Sequence, residues 1–223
     1  MNNFTSTHPS ELGTRKLCIF GTGGFARESL LVWIDSLVDS GYDYREYVVF
    51  MENDDDFDAS EIMGIPVIRQ SSYLASEHLL IVAVGDPASR KNIIDQFPVD
   101  TEYASLIHPT AVMSDWVEFG HGAIVTAGTI VTCNVKLGNH AQLNLHTTIG
   151  HDCAIGDFFT TAPGAKISGN CNFGDKVYIA TNAGVRQGID ITSDVTIGMG
   201  AQVVKRIDSP GVYVGSPAKQ LKQ

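Results

Sequence analysis

The chain has 223 residues, of which 43% are hydrophobic and 18% charged, with a formal net charge of −10. This composition suits a folded protein long enough for two modest domains, and the acidic balance excludes nucleic acid and anionic membrane as general partners. No apolar run approaches the roughly 20 residues of a membrane span. The N-terminus, MNNFTSTHPSELGTRK, lacks the apolar stretch of a secretory signal, so the cytoplasm is the expected location and residues 1–14 are expected to be a flexible extension.

Residues 15–107 alternate short apolar runs with helical patterns. Lys16–Phe20 reads as a strand, followed by Gly21-Thr-Gly-Gly-Phe-Ala26 and a helical stretch over 26–39. Tyr47–Met51 reads as a second strand ending in the acidic run Glu52–Asp56. Ile65–Ile68 reads as a third, and Ser71–Ser76 as a short helix. Leu79–Val84 is the clearest buried strand, leading through Gly85-Asp86 into a helix over Ala88–Gln96, with a last strand at Tyr103–Leu106. Alternating strands and helices predict a small, mostly parallel, Rossmann-like α/β sheet.

From Ala111 to Arg206 the grammar changes. Sixteen consecutive hexads run without an insertion, and every third position but Thr161 is apolar. A fixed short period dictates the fold. Six residues make one flat strand and one corner, so the expected architecture is a parallel β-helix over 108–207, three hexads to a coil. The glycines that follow third positions (Gly120, Gly138, Gly150, Gly156, Gly174, Gly198) are expected to relax the bend. Cys153 and Cys171, eighteen residues apart, are expected to stack as small inward fillers. Residues 208–223 form a candidate cap for the last coil.

Two places carry chemistry. A strand, then Gly21, Gly23 and Gly24, then a helix is the arrangement in which backbone N–H groups hold a phosphate; NAD binding, for which the motif has Ala26 in place of its last glycine, and a merely structural tight turn are the alternatives. The other place is the set of repeat histidines. His146 and His151 have part of the spacing of the zinc site in gamma-class carbonic anhydrases, but Thr110 and Asp115 stand where a third histidine is needed, so no metal is expected. His151 is followed by Asp152, which coil stacking sets between Asn134 and Asn170. At a corner such an acid can fix an imidazole's tautomer and raise its basicity; a solvated surface pair is the alternative.

Gly21–Ala26, Val82–Gly85, Ile107-His108-Pro109-Thr110-Ala111, Ile149-Gly150-His151-Asp152-Cys153 with Ile155-Gly156, and Val214-Gly215 with Pro217-Ala218-Lys219 together resemble one family. It is that of the acetyl-CoA-dependent hexapeptide-repeat acyltransferases with an N-terminal nucleotide-sugar domain: the sialic-acid O-acetyltransferase-like family and relatives that N-acetylate UDP-linked 4-amino-sugars. The resemblance implies a left-handed β-helix, a homotrimer, and an active site in the groove between neighbouring β-helices. His151 matches the family's general base, Asp152 the acid beside it, and Gly169 the oxyanion donor, one coil from His151. Acetyl-CoA is the implied co-substrate, held by Gly169, Ala201, Lys205, Gly215, Pro217 and Lys219. The nucleotide sugar falls to Gly21, Gly23, Gly24, Phe25, Glu52, Asn53, Gly85 and Arg90. Two positions depart from many relatives: Phe25 replaces a histidine in the glycine turn, and Thr160 replaces one nine residues after the base. The activity so implied is N-acetylation of a nucleotide-linked amino-sugar, with a UDP-4-amino-4,6-dideoxy-hexose as acceptor. A sugar O-acetyltransferase and a non-catalytic sugar-nucleotide scaffold are the alternatives, and no redox cofactor is implied.

Overall fold

The structure, a computed structural model, describes residues 6–222. A one-turn helix, α1 (Pro9–Leu12), precedes β1 (Lys16–Phe20), α2 (Gly24–Ser36), β2 (Val48–Glu52), β3 (Glu61–Ile62), β4 (Ile65–Arg69), β5 (His78–Val82) and α3 (Pro87–Ile94). The five strands form one sheet in the order β3-β4-β2-β1-β5. All pairings are parallel except the β3–β4 hairpin. Alternation along β1 explains the layering. Leu17 and Ile19 face α2, where Leu30 and Trp33 are buried. Cys18 and Phe20 face the other side, with Ile93 of α3. A sheet covered on both faces reads as near-continuous apolar runs, as β1 and β5 do.

The expected extension is folded from Ser6 onward; residues 1–5 lie outside the described residues. The Thr7 N–H donates to the Ser105 carbonyl at 2.8 Å, the Ser6 hydroxyl accepts from Ile107 N–H, and Leu12 is buried in the core under α2. Leu12 in a polar stretch is a weak sequence signal, and the segment docks through it together with the buried Pro9 and these hydrogen bonds. The helix expected over Ser71–Ser76 is only a 3₁₀ turn at Gln70–Ser72.

The rest of the chain is a three-faced parallel β-helix. Val131, Ile149, Ile167, Val185 and Val203 stand in register on one face, each eighteen residues from the next. Third and first hexad positions fill the interior. Thr161, the polar exception, is buried with its hydroxyl 2.7 Å from that of Thr147. Cys153 and Cys171 are free thiols in this core, as their spacing predicts. The repeat begins one hexad earlier than the reading from Ala111. β6 (Leu106–Ile107) pairs with Ile124–Val125, so Ser105–Thr110 is the first hexad, with Ile107 at its third position. The strand expected at Tyr103–Leu106 is therefore split: Tyr103 bridges Leu80 in the α/β sheet, and Leu106 opens the β-helix. At the far end Gly211–Val214 pairs with Val195–Ile197, and Lys219–Gln220 folds back on it.

The corners differ from expectation. The glycines after third positions have no positive φ; instead, a Cβ on Gly150 would lie 2.5 Å from the Gly169 nitrogen, so the next coil excludes a side chain there. The left-handed turn falls on the sixth position, at every hexad from Gly122 to Gly200, including Asp152 (φ 57°) and Phe158 (φ 59°). Nine of these fourteen residues are not glycine. Asn and Asp take that conformation readily, and they supply five of the nine.

Candidate active site

His151 occupies the fifth hexad position, just before a left-handed corner. The eighteen-residue step puts Cys133, His151, Gly169, Gln187 and Lys205 in one column along an edge of the prism. His151 and Asp152 are both about half exposed, with side-chain accessibilities of 50% and 47%. The left-handed turn at Asp152 bends its carboxylate back toward its neighbour, so His151 Nδ1 lies 2.7 Å from Asp152 Oδ2. Asn134, one coil before, donates to Asp152 Oδ1 at 3.1 Å. These bonds, from His151 first and Asn134 second, hold the Asp152 carboxyl below the usual carboxylate range. With Nδ1 engaged, Nε2 is the free ring nitrogen.

That nitrogen faces Gly169. Asn170 N–H donates to the His151 carbonyl, fixing the two coils in register. A Cβ built on Gly169 would lie 2.7 Å from His151 Nε2 and 2.8 Å from Cε1. The imidazole thus rests over the bare Cα of Gly169, and no other residue fits beneath it. Among the described residues the Gly169 N–H has no hydrogen-bond acceptor, whereas its carbonyl accepts from Gly188. An imidazole nitrogen and a free backbone donor on one wall can serve as base and oxyanion donor in acyl transfer. Behind the wall, Cys153 and Cys171 donate their thiols to the carbonyls of His151 and Gly169.

The face below this pair continues to the cap. Ser168, Arg186, Gln202 and Val204 line a shallow groove on it. Arg186 is exposed there and was not singled out by sequence; its only signal is the step of eighteen from Ser168. The Gly215 carbonyl accepts from Gln202 N–H, and Ala218 N–H donates back to Gln202, so Gly215, Pro217 and Lys219 lie at the end of the same face. Lys205 is exposed on its edge. The Ala201 side chain faces the core and is fully buried, so only its backbone is available to a ligand.

The second cluster forms at the carboxyl ends of β1, β2 and β5, where open α/β sheets bind ligands. Gly21 (φ 106°) turns the chain there, and its Cα faces the Ala83 carbonyl, 3.4 Å from where a Cβ would be. Gly23 and Gly24 are different: their φ is not positive, and a Cβ on either would meet nothing within 4 Å. Neither the backbone nor internal packing demands glycine at these two positions. No side chain caps α2, whereas Asp86 caps α3 by accepting from Ser89 N–H at 2.8 Å. The α2 N-terminus is therefore the one free to meet an anion. Thr22 hydroxyl donates to Glu52 at 2.6 Å and Asn53 N–H to its other oxygen, so Glu52 braces the glycine turn. Phe25 packs against the α/β core. Gly85 borders the same crevice.

Arg90 does not join this cluster. It is fully buried between the two parts of the chain and donates to groups on both sides. Burial pushes its guanidinium down to about 9, against a smaller upward pull from Asp86. A side chain enclosed in this way cannot reach a ligand at the crevice. Among the described residues no three His, Cys, Asp or Glu side chains are grouped so that they could hold a metal ion, and no helix is long and apolar enough to cross a membrane.

Residues 16–97 match the PglD N-terminal domain. The chain is 29% identical to the GDP-perosamine N-acetyltransferase of Escherichia coli O157:H7, over 92% of this chain and 96% of that one. The acetyltransferase domain of PglB from Neisseria gonorrhoeae FA1090, solved with acetyl coenzyme A, is 31% identical, with a TM-score of 0.81 over 94% of this chain and all of that one. This chain belongs to the hexapeptide-repeat sugar acetyltransferases. Another member, the perosamine N-acetyltransferase of Caulobacter crescentus, solved as a mutant with CoA and GDP-perosamine, is 26% identical with a TM-score of 0.81, covering 93% of this chain and 97% of that one. Membership spans both the crevice and the histidine edge, so the two clusters belong to one shared architecture.

Proposed function

We propose that this chain transfers the acetyl group of acetyl-CoA to the amine of a nucleotide-linked amino-sugar. His151 is the general base, and the sugar nucleotide's diphosphate sits at the glycine turn. The observation that carries this reading is the stacking of His151 on Gly169, with Asp152 holding the far ring nitrogen. In the reaction the neutral amine attacks the thioester carbonyl carbon. The carbonyl oxygen takes the charge and accepts from the Gly169 N–H. His151 Nε2 removes the proton from the attacking nitrogen. The tetrahedral adduct then collapses, the C–S bond breaks, and the CoA sulfur leaves with the proton held by His151. The products are the amide and CoA thiol. Acetyl-CoA runs down the groove past Ser168 and Arg186 to Lys205 and the cap, where the cations meet its phosphates.

A UDP-linked 4-amino-4,6-dideoxy-hexose is the acceptor that the sequence resemblance implies. The relatives named for GDP-perosamine favour a GDP-linked sugar as the second reading. Thiol release from acetyl-CoA with a panel of UDP-, dTDP- and GDP-linked amino-sugars tests both. Turnover on one of them is expected. Release with none, or only with sugar hydroxyls, would overturn the reading.

A further inference from the structure

The α/β domain and the β-helix meet across a buried polar junction centred on one guanidinium. Arg90 has no exposed surface and no carboxylate in hydrogen-bond contact. Nη1 donates to the Val84 carbonyl at 2.7 Å and to Gln142 Oε1 at 2.9 Å. Nη2 donates to the Phe158 carbonyl and the Thr160 hydroxyl, each at 2.8 Å. Gln142 Nε2 returns a bond to the Val82 carbonyl at 2.8 Å. The Phe158 ring stacks on His140, itself against Tyr103 of the α/β part.

The two ends of this clamp are the important places. On one side lies Val84–Gly85, the loop after β5; Val84 Cγ2 is 3.7 Å from where a Cβ on Gly21 of the glycine turn would stand. On the other lies Phe158–Thr160, in the same eighteen-residue coil as His151 and Asp152. A guanidinium is planar and presents donors in a rigid fork, so it can fix two backbones against each other. A buried charge without a carboxylate partner is costly, and a junction needing only adhesion would be filled with apolar side chains.

We infer that Arg90 is a positioning residue that locks the nucleotide crevice to the coil carrying His151, setting the distance from the bound acceptor amine to the base. This rests on the acceptor reading above. Each substrate would bind its own part of the chain without Arg90, but the amine and the base would no longer meet in a fixed geometry. Misplacement by about 1 Å costs on the order of 10²-fold in rate.

The test uses the full chain with Arg90→Met, and with Arg90→Lys, whose single ammonium keeps the charge but cannot span both sides; the Lys variant carries the test if the Met variant does not fold. Calorimetry should give dissociation constants for acetyl-CoA and for the sugar nucleotide within about threefold of wild type, while kcat at saturation of both falls ~10²-fold. Amide exchange at Gly85 and Asp86 should accelerate. Unchanged kcat overturns the inference, and so does a parallel loss of both affinities, which marks general damage. If the wild type itself turns over no amino-sugar nucleotide, the acceptor reading fails, and the exchange rates alone then judge the clamp: unchanged exchange overturns it.

Discussion

In the proposed mechanism His151 and Gly169 act as a pair, and their stacking depends on Gly169 lacking a side chain. Gly169→Ala would place a methyl 2.7 Å from His151 Nε2. The backbone there is in an ordinary conformation, so the coil should tolerate alanine while the imidazole swings away. The expected result is a loss of ~10²-fold in kcat with unchanged melting temperature, measured by thiol release and thermal unfolding. His151→Ala should cost ~10²–10⁴-fold, the usual contribution of a general base, and leave folding intact because the residue is half exposed. Near-wild-type turnover in either variant would remove that residue from the mechanism. Their stacking was legible in the sequence, since a strict period lets it be calculated; their roles came only with the family resemblance. The place of Arg90 was not legible. Its partners Gln142, Phe158 and Thr160 lie 52, 68 and 70 residues away, and no periodicity links a helix of the α/β sheet to a coil.

Two elements carry the remaining site predictions. The N-terminus of α2 has room beside Gly24 for the β-branched side chain of valine, so Gly24→Val should leave the fold intact while obstructing an approaching diphosphate. Calorimetric titration should find sugar-nucleotide binding weakened by at least tenfold and acetyl-CoA binding unchanged. Equal loss of both would end the division of labour between crevice and groove. The second element is the corner at His140. Burial first, then the charges of His121 and Arg90, push its imidazole down to about 3. A histidine neutral in the native state but protonated when unfolded destabilises the fold as pH falls. The contribution is complete above about 6.5 and is lost progressively toward 3, with a slope of up to about 1.4 kcal/mol per pH unit. Replacing His140 by asparagine, which accepts the left-handed turn, should flatten the difference in denaturant midpoint between pH 6.5 and 4.5. The sequence marked the hexad's apolar positions correctly but assigned its glycines the wrong task. Composition shows where a side chain is missing, and only the stacked coil shows whether conformation or crowding removed it.

The whole molecule leaves apolar groups uncovered beside the edge that carries His151. Trp116 is 69% exposed, two coils before Asp152 in the same corner column, and Val112 and Ile130 are exposed on the adjoining face. A homotrimer is the expected state in solution, with neighbouring β-helices covering this face and closing the groove. Light scattering should give three times the mass of the 24.0 kDa chain, and a fully active monomer would contradict it.

The unbroken step from Leu106 to Val203 also makes the protein a gauge of length. Two coils separate Gly169 from Lys205, and each adds one strand spacing of about 4.8 Å. Excising Asn170–Gln187 removes one whole coil and joins Gly169 to Gly188, so every later hexad keeps its place. His151 would keep Asp152 and Gly169 beside it, but the cap would stand ~4.8 Å closer. On the proposed path for acetyl-CoA, such a shortened chain should handle acetyl-pantetheine as well as the parent does, while acetyl-CoA loses its advantage, because the count of coils would set the reach from thioester to terminal phosphate.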